Sequence, residues 1–163
     1  MAMGEYVKKM KKHLPEGSSF VMASSQVVIM NDQEEILITK RQDCSKWDIP
    51  GGGCEENDSY KQTAVKEMKE ELNLDILEED LEFLGTMSCS PLTVMSYPGN
   101  SFTKYYVCVF GVVNYSGNIE LTDGENLEYK FVTPHEALEN YDLIVSSKYI
   151  LEQLVTNNIP FID

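Results

Sequence analysis

A glycine triplet followed closely by a helix with three acids on one side leaves few folds open to this chain. The stretch is IPGGGCEENDSYKQTAVKEMKEELNL, residues 49–74. Its glycines free the backbone for turns and close approach, and residues 59–72 carry helical periodicity. At ~100° per residue, with Glu67 at zero, Glu70 falls near −60° and Glu71 near +40°. Ala64, Met68, Leu72 and Val65 fall at about +60°, +100°, +140° and +160°, so an apolar stripe runs beside the acidic one. Lys66 and Lys69 project elsewhere, towards about −100° and −160°. Such a helix can pack one side on a sheet while its acids face a cleft at the sheet's edge. Like charges at i, i+3 and i, i+4 cost a helix about a few tenths of a kcal/mol per pair. Lysine partners, water or a metal ion are the candidates to offset that. Taken alone, KEMKEEL reads as a solvated charged face; the adjoining glycines turn the reading towards a site.

Around this stretch, strand and helix patterns are interspersed. SFVMASSQVVIM (19–30) and ILITKR (36–41) suit strands, and the polar NDQEE between them predicts a hairpin. KWDIP (46–50) is a short extended piece stopped by proline. LEFLGTMSCS (81–90) and SFTKYYVCVFGVVNY (101–115) read as strands joined through the turn-like SYPGNS, and LEYKFVT (127–133) as another. In TPHEAL, Thr133 caps a helix, with Pro134 in its first turn and Glu136 three residues after the cap. VSSKYILEQLV (145–155) predicts a final amphipathic helix, and GEYVKKMKKHL (4–14) a short basic one. The mixture favours a layered α/β arrangement. No linker divides the chain, so residues 1–163 are expected to form a single domain with 1–17 as an N-terminal helical extension.

The formal net charge of −14 argues against a nucleic-acid polymer or an anionic membrane surface as the main partner. A charged small molecule stays open, because a bound cation can outweigh the global sign. Cys44, Cys54, Cys89 and Cys108 show no CxxC spacing, which suits reduced thiols in a cytoplasmic protein. MAMGEYVKKMKKH has no apolar stretch after its lysines and is not read as a secretory signal. No apolar run approaches the ~20 residues that cross a bilayer.

The combination of glycines and acids at fixed spacing resembles the Nudix box of the Nudix hydrolase family, G-x5-E-x7-R-E-U-x-E-E-x-G-U, where U is a bulky apolar residue. Gly52 opens the box and Asp58 stands where the first Glu belongs. KEMKEELNL (66–74) supplies Lys66 for Arg, then Glu67, Met68, Glu70, Glu71, Asn73 for Gly, and Leu74. The flanks ILITKRQDCSKWDIPGGG and DGENLEYKFVTPHEAL also look like their counterparts in the family. Asn73 is a mild departure, since asparagine is the next choice after glycine for a left-handed helix end. Asp58 and Lys66 keep the signs of the family's supporting charge pair but lose the bidentate fork of arginine. Asp58 and Ser59 also suit a helix start, with Gln62 placed to complete a capping box from Ser59.

The resemblance implies a Nudix fold, an α/β/α sandwich around a mixed β-sheet. It implies water attack on a phosphoanhydride bond of a nucleoside diphosphate linked to another moiety, either an NTP or a nucleotide sugar such as ADP-ribose. It also implies Mg2+ or Mn2+, hard cations that take oxygen ligands. By resemblance Glu70 and Glu71 are the principal metal ligands, Glu67 a third ligand or a base, and Gly51 a carbonyl donor. Glu125 is the candidate carboxylate from outside the box, with Glu128 its rival. Gly52 borders the substrate. Arg41 is expected either to reach a phosphate or to be a surface arginine. Trp47 is expected to stack on a base or to join the core, and Tyr97 to line the pocket or support its turn. A homodimer is common in the family. The alternative is a non-catalytic Nudix-fold domain that binds a nucleotide as a sensor.

Overall fold

The computed structural model describes residues 10, 12–15, 17–97, 101–122 and 124–163, with the backbone alone at Tyr97 and Ser101. The helix expected over 4–14 lies for the most part outside these residues. Strand β1 (Ser19–Ile29) is followed by β2 (Ile36–Arg41), β3 (Trp47–Asp48), β4 (Gly51–Gly53) and helix α1 (Tyr60–Leu72). A 3-10 turn (Glu78–Asp80) leads to β5 (Glu82–Met87), α2 (Ser90–Thr93), β6 (Val94–Tyr97) and β7 (Ser101–Val112). Then come β8 (Asn126–Val132), α3 (Pro134–Asn140), α4 (Val145–Val155) and β9 (Phe161–Ile162).

The larger sheet runs β4-β1-β7-β5-β9, with β6 alongside β7 beyond β5, and a smaller sheet runs β3-β2-β8. β1 and β7 are parallel, from Ser19 opposite Phe102 to Ile29 opposite Val112, whereas β4 and β5 flank them antiparallel, so the sheet is mixed. Alternation along these two strands builds two cores. Val27 and Ile29 of β1 and Cys108, Phe110 and Val112 of β7 meet Ala64, Met68 and Leu72 of α1. Val28, Val107 and Val109 point the other way, onto Ala137 of α3 and Ile150 and Leu151 of α4. The result is the expected α/β/α sandwich. A one-residue slip of β1 would exchange its two faces. Met68 and Leu72 are fully buried, each worth about 1.5–3 kcal/mol, and that burial fixes the rotation of α1 and therefore the direction of its acids.

The expected hairpin over 19–41 is corrected. β1 and β2 belong to different sheets, and a single bridge, Met30 to Ile36, joins them. The turn is real: the Asn31 side-chain oxygen accepts from the backbone N–H groups of Gln33 and Glu35. Both strands are buried on both faces along VVI and ILI, so each needs a cover on either side that mutual pairing would not provide. The strand expected over 81–90 ends at Met87, and α2 and β6 intervene before β7. Among the described residues, no helix is long and apolar enough to cross a membrane.

Candidate functional site

The register of β4 on β1 sets Gly51 opposite Gln26, Gly52 opposite Ser25 and Gly53 opposite Ser24. The Ser25 hydroxyl donates to the Tyr60 carbonyl (2.7 Å), tying the start of α1 to the same strand. A full capping box starts the helix: Ser59 Oγ accepts from Gln62 N–H, and the Gln62 side chain accepts from Ser59 N–H. Asn73 ends it in the left-handed conformation (φ 57°), its N–H returning to the carbonyls of Lys69 and Met68. Asparagine thus does what the glycine of the family pattern would do there.

Between these caps the acids diverge in exposure. Glu70 is exposed, Glu67 half-buried and Glu71 only 6% exposed. The Glu67 carboxylate lies against the bare Cα of Gly52, where an added Cβ would stand 2.1 Å from it. Glu71 accepts a long hydrogen bond from the Asn126 side chain (3.4 Å). The segment leading to β8 runs beside the end of α1, with Glu120 N–H on the Leu72 carbonyl, Thr122 N–H on that of Glu71 and the Thr122 hydroxyl on that of Glu70. This brings Glu125 into a small polar cleft with Thr39, Arg41, Asp48, Pro50, Gly51, Glu71 and Asn126. The cleft has room for about one water-sized particle. Glu128 is engaged elsewhere, with Lys40 (3.3 Å). Among the described residues, no three Asp, Glu, His or Cys side chains are gathered into a metal-holding group. Of the candidate acids, Glu71 and Glu125 line the cleft, and the set does not converge.

Beyond Gly51 and Gly52 opens a cavity of about 290 Å3, walled by β1, the 91–96 segment, Tyr105 and Val107 of β7, and Ile144–Ser146. Arg41 and Asp48 border both this cavity and the small cleft. Arg41 is 5% exposed. Its Nε donates to Asp43 Oδ1 (2.9 Å) and its Nη1 to Asp48 Oδ2 (3.3 Å). Burial alone would lower the Arg41 pKa, but these two carboxylates outweigh it and raise the group above its ordinary value. The hydrogen bond from Arg41 likewise holds Asp43 well below the usual carboxylate range. Arg41 is therefore neither a surface arginine nor an open fork, and a phosphate would compete with two aspartates for it. Ser147 Oγ donates to Asp48 Oδ1 (2.6 Å) and accepts from Ile49 N–H, which locks the junction to α4.

Trp47 follows the core alternative. It is 7% exposed, sits in the core edge-to-face with Tyr141 (5.1 Å between centroids), and does not line the cavity. Its backbone N–H donates to the Asp142 carbonyl and its carbonyl accepts from Ile144 N–H, and this docking faces the indole inward. The Tyr97 side chain lies outside the described residues.

The expected supporting pair is distributed over three groups. Lys66 Nζ lies 2.8 Å from Glu55 Oε2 and 3.6 Å from Asp58 Oδ2. Asp58 Oδ2 is buried without a hydrogen bond. Glu55, Asp48, Gln26 and Asn126 escaped the sequence reading. Of these, Asn126 beside Glu125 and Asp48 beside Trp47 carried a neighbouring signal. An arginine at 66 has a longer fork with separate donors for both acids. Asp58→Glu with Lys66→Arg is accordingly expected to leave turnover equal or raised and the thermal midpoint no lower, checked by steady-state kinetics and calorimetry. A large loss of turnover would show that this chain depends on the lysine geometry.

Comparison with known proteins bears on the family and the fold. Residues 22–154 match the NUDIX domain family. An RNA pyrophosphohydrolase of a Nitratiruptor species is 27% identical over 135 residues, covering 80% of this chain and 84% of that one. A local stretch of 45 residues is 40% identical to a Bacillus subtilis protein named as a candidate 8-oxo-dGTP diphosphatase, and it spans only 30% of that protein. Among solved structures, the MutT protein of Methanosarcina mazei Go1 superposes with a TM-score of 0.70 at 20% identity, over 86% of this chain and 97% of that one. A bifunctional NMN adenylyltransferase/ADP ribose pyrophosphatase of Francisella tularensis, solved with AMP and a manganese ion, gives 0.62 at 18% identity, over 92% of this chain and 45% of that one.

Proposed function

Because the chain belongs to the NUDIX domain family, we propose that it hydrolyses a phosphoanhydride bond of a nucleoside diphosphate linked to another group, with a divalent cation. The observation that carries this reading is the junction of two spaces at Gly51. The small cleft there holds Glu71 and Glu125, and the adjoining cavity of about 290 Å3 suits a nucleoside. All the side chains offered at the cleft by the acids are oxygen donors, which fits Mg2+ or Mn2+. Glu70 and Glu71 would hold the cation, joined by Glu67 and the Gly51 carbonyl. The cation supplies charge neutralisation at the phosphates and a lowered pKa for its bound water.

The chain's own residues then divide the remaining work. Glu67, packed on Gly52, is positioned to take a proton from the attacking water, or to complete the ligand set. Glu125 adds a carboxylate from the facing segment. The apolar wall of Leu92, Val94, Met95 and Val107 excludes water from the bound nucleoside. Arg41, held by Asp43 and Asp48, braces the floor between the two spaces. Its commitment to these carboxylates, together with the net charge of −14, favours a small nucleotide over an RNA chain. The unpaired thiols of Cys44, Cys54, Cys89 and Cys108 suit a reducing compartment such as the cytoplasm.

The test is a phosphate and pyrophosphate release screen with Mg2+ and with Mn2+. It covers NTPs, oxidised NTPs, ADP-ribose, other nucleotide sugars and a 5′-triphosphorylated RNA oligomer, with Glu70→Gln as control. A substrate cleaved by the wild type and not by the variant supports the hydrolase. A second reading, a nucleotide sensor, rests on the 3.6 Å gap between Lys66 and Asp58 and on the unconverged acids. Tight nucleotide binding with no release across the whole panel would establish it instead.

A further inference from the structure

We infer that Asp163 is a positioning residue for the substrate cavity, acting as a latch on the wall formed by residues 91–96. The inference rests on the hydrolase reading for its kinetic consequence only. Pro91 to Ser96 form one side of the 290 Å3 cavity, yet they belong to the four-residue helix α2 and the edge strand β6, elements too short to hold themselves. The residue before α2, Cys89, gives no side-chain cap to it. The Asp163 carboxylate takes that place from far along the chain. It accepts from Ser88 N–H (2.7 Å), from the Ser88 hydroxyl (3.0 Å) and from Cys89 N–H. On the opposite side of the same turn, Thr93 Oγ1 donates to the carbonyls of Cys89 (3.0 Å) and Ser88 (3.3 Å).

What holds Asp163 is the body of the protein. Phe161 and Ile162 pair with Gly85 and Thr86 of β5. Phe161 is buried, edge-to-face with Tyr149 of α4 (5.7 Å between centroids). Gly85 admits its ring where a Cβ would stand 2.5 Å from it. Burial would raise the Asp163 carboxyl, but the donors of Cys89 and Ser88 outweigh it and lower the group below its ordinary value. The anchor is thus deep and the latch bonds are at the surface. Breaking them loosens the α2 end of the wall while β6 keeps its pairing with β7, a local rather than a global event.

The experiment compares wild type, Asp163→Ala and Asp163→Asn by amide hydrogen exchange and by kinetics. In Asp163→Ala, exchange at Ser88 and Cys89 is expected to accelerate and to carry the cavity-lining amides of Leu92 and Thr93 with it. KM should rise about tenfold, the scale of a lost charge-assisted hydrogen bond, with kcat within twofold. Asp163→Asn, which keeps an acceptor oxygen, should recover part of both effects. Unchanged exchange at 88 and 89, or acceleration that stops there, overturns the latch. An unchanged KM, or a fall in kcat at constant KM, overturns its coupling to substrate. Failure of the hydrolase reading would appear separately, as a wild type without turnover whose exchange pattern still responds to Asp163→Ala.

Discussion

Glu71→Gln is expected to leave the fold intact and to lower turnover by ~100- to 1,000-fold. The structural half of this result follows from burial. Glu71 is 6% exposed and follows Glu67 by one helical turn, so a glutamine of the same shape fills its place and relieves one like-charge pair. Glutamine has the same length, keeps an oxygen for Asn126 to donate to, and removes the charge. The catalytic half follows from what a ligand contributes. Charge stabilisation at a metal-assisted transition state is worth several kcal/mol, and each ~1.4 kcal/mol is tenfold in rate. The two halves can be read on one sample. Without divalent cation the variant should still melt cooperatively, as an intact fold does. The rise in midpoint on adding Mn2+, which binding to the folded state produces in the wild type, should shrink or vanish. Glu70→Gln, at an exposed position, should lose turnover comparably with little change in midpoint. Near-wild-type turnover in both variants would remove the metal assignment.

How far the site could be read from sequence depended on whether its geometry was local. Helix α1 was legible to within a residue because Ser59, Gln62 and Asn73 act on backbone groups no more than five residues away. Its acidic side was legible because Ala64, Met68 and Leu72 fix the rotation by burial. What failed was non-local. The pairing of β1 with β7 across some eighty residues of chain carries no signal in NDQEE, which turns the chain whether or not its flanks pair. Trp47 faces the core because of what Asp142 and Ile144 do. Arg41 looked like an open cation until Asp43 and Asp48 folded onto it. Lys66 prefers Glu55, eleven positions back, because the loop between Gly53 and Ser59 curls, and a linear motif has no term for a loop's shape. Segment 88–97 lacked any period because α2 and β6 are held from outside, by β7 and by Asp163.

The adjacent glycines of the loop should fail in opposite ways when each is replaced by alanine. At Gly51 the added Cβ would stand 2.1 Å from the Ser25 carbonyl oxygen and 2.7 Å from Gln26 Cα. Both are backbone atoms of β1, which is paired along its length with β7, so neither can move aside without breaking the sheet. Gly51→Ala is therefore expected to cost ~3 kcal/mol or more, as overpacking against rigid surroundings does, and to lower the thermal midpoint by several degrees. At Gly52 the obstacle is different. The three nearest atoms to that Cβ all belong to the Glu67 carboxylate, the far end of a side chain and not rigid backbone. Gly52→Ala should cost less than Gly51→Ala and leave the fold intact. It should still reduce turnover by ~100-fold, because an ångström of misplacement at a reacting group costs about that much. Thermal melts and kcat on the two variants separate these outcomes. Equal losses of stability would mean that Gly52 serves the sheet and not the acid. Full activity in Gly52→Ala would mean that Glu67 has no fixed task in the reaction.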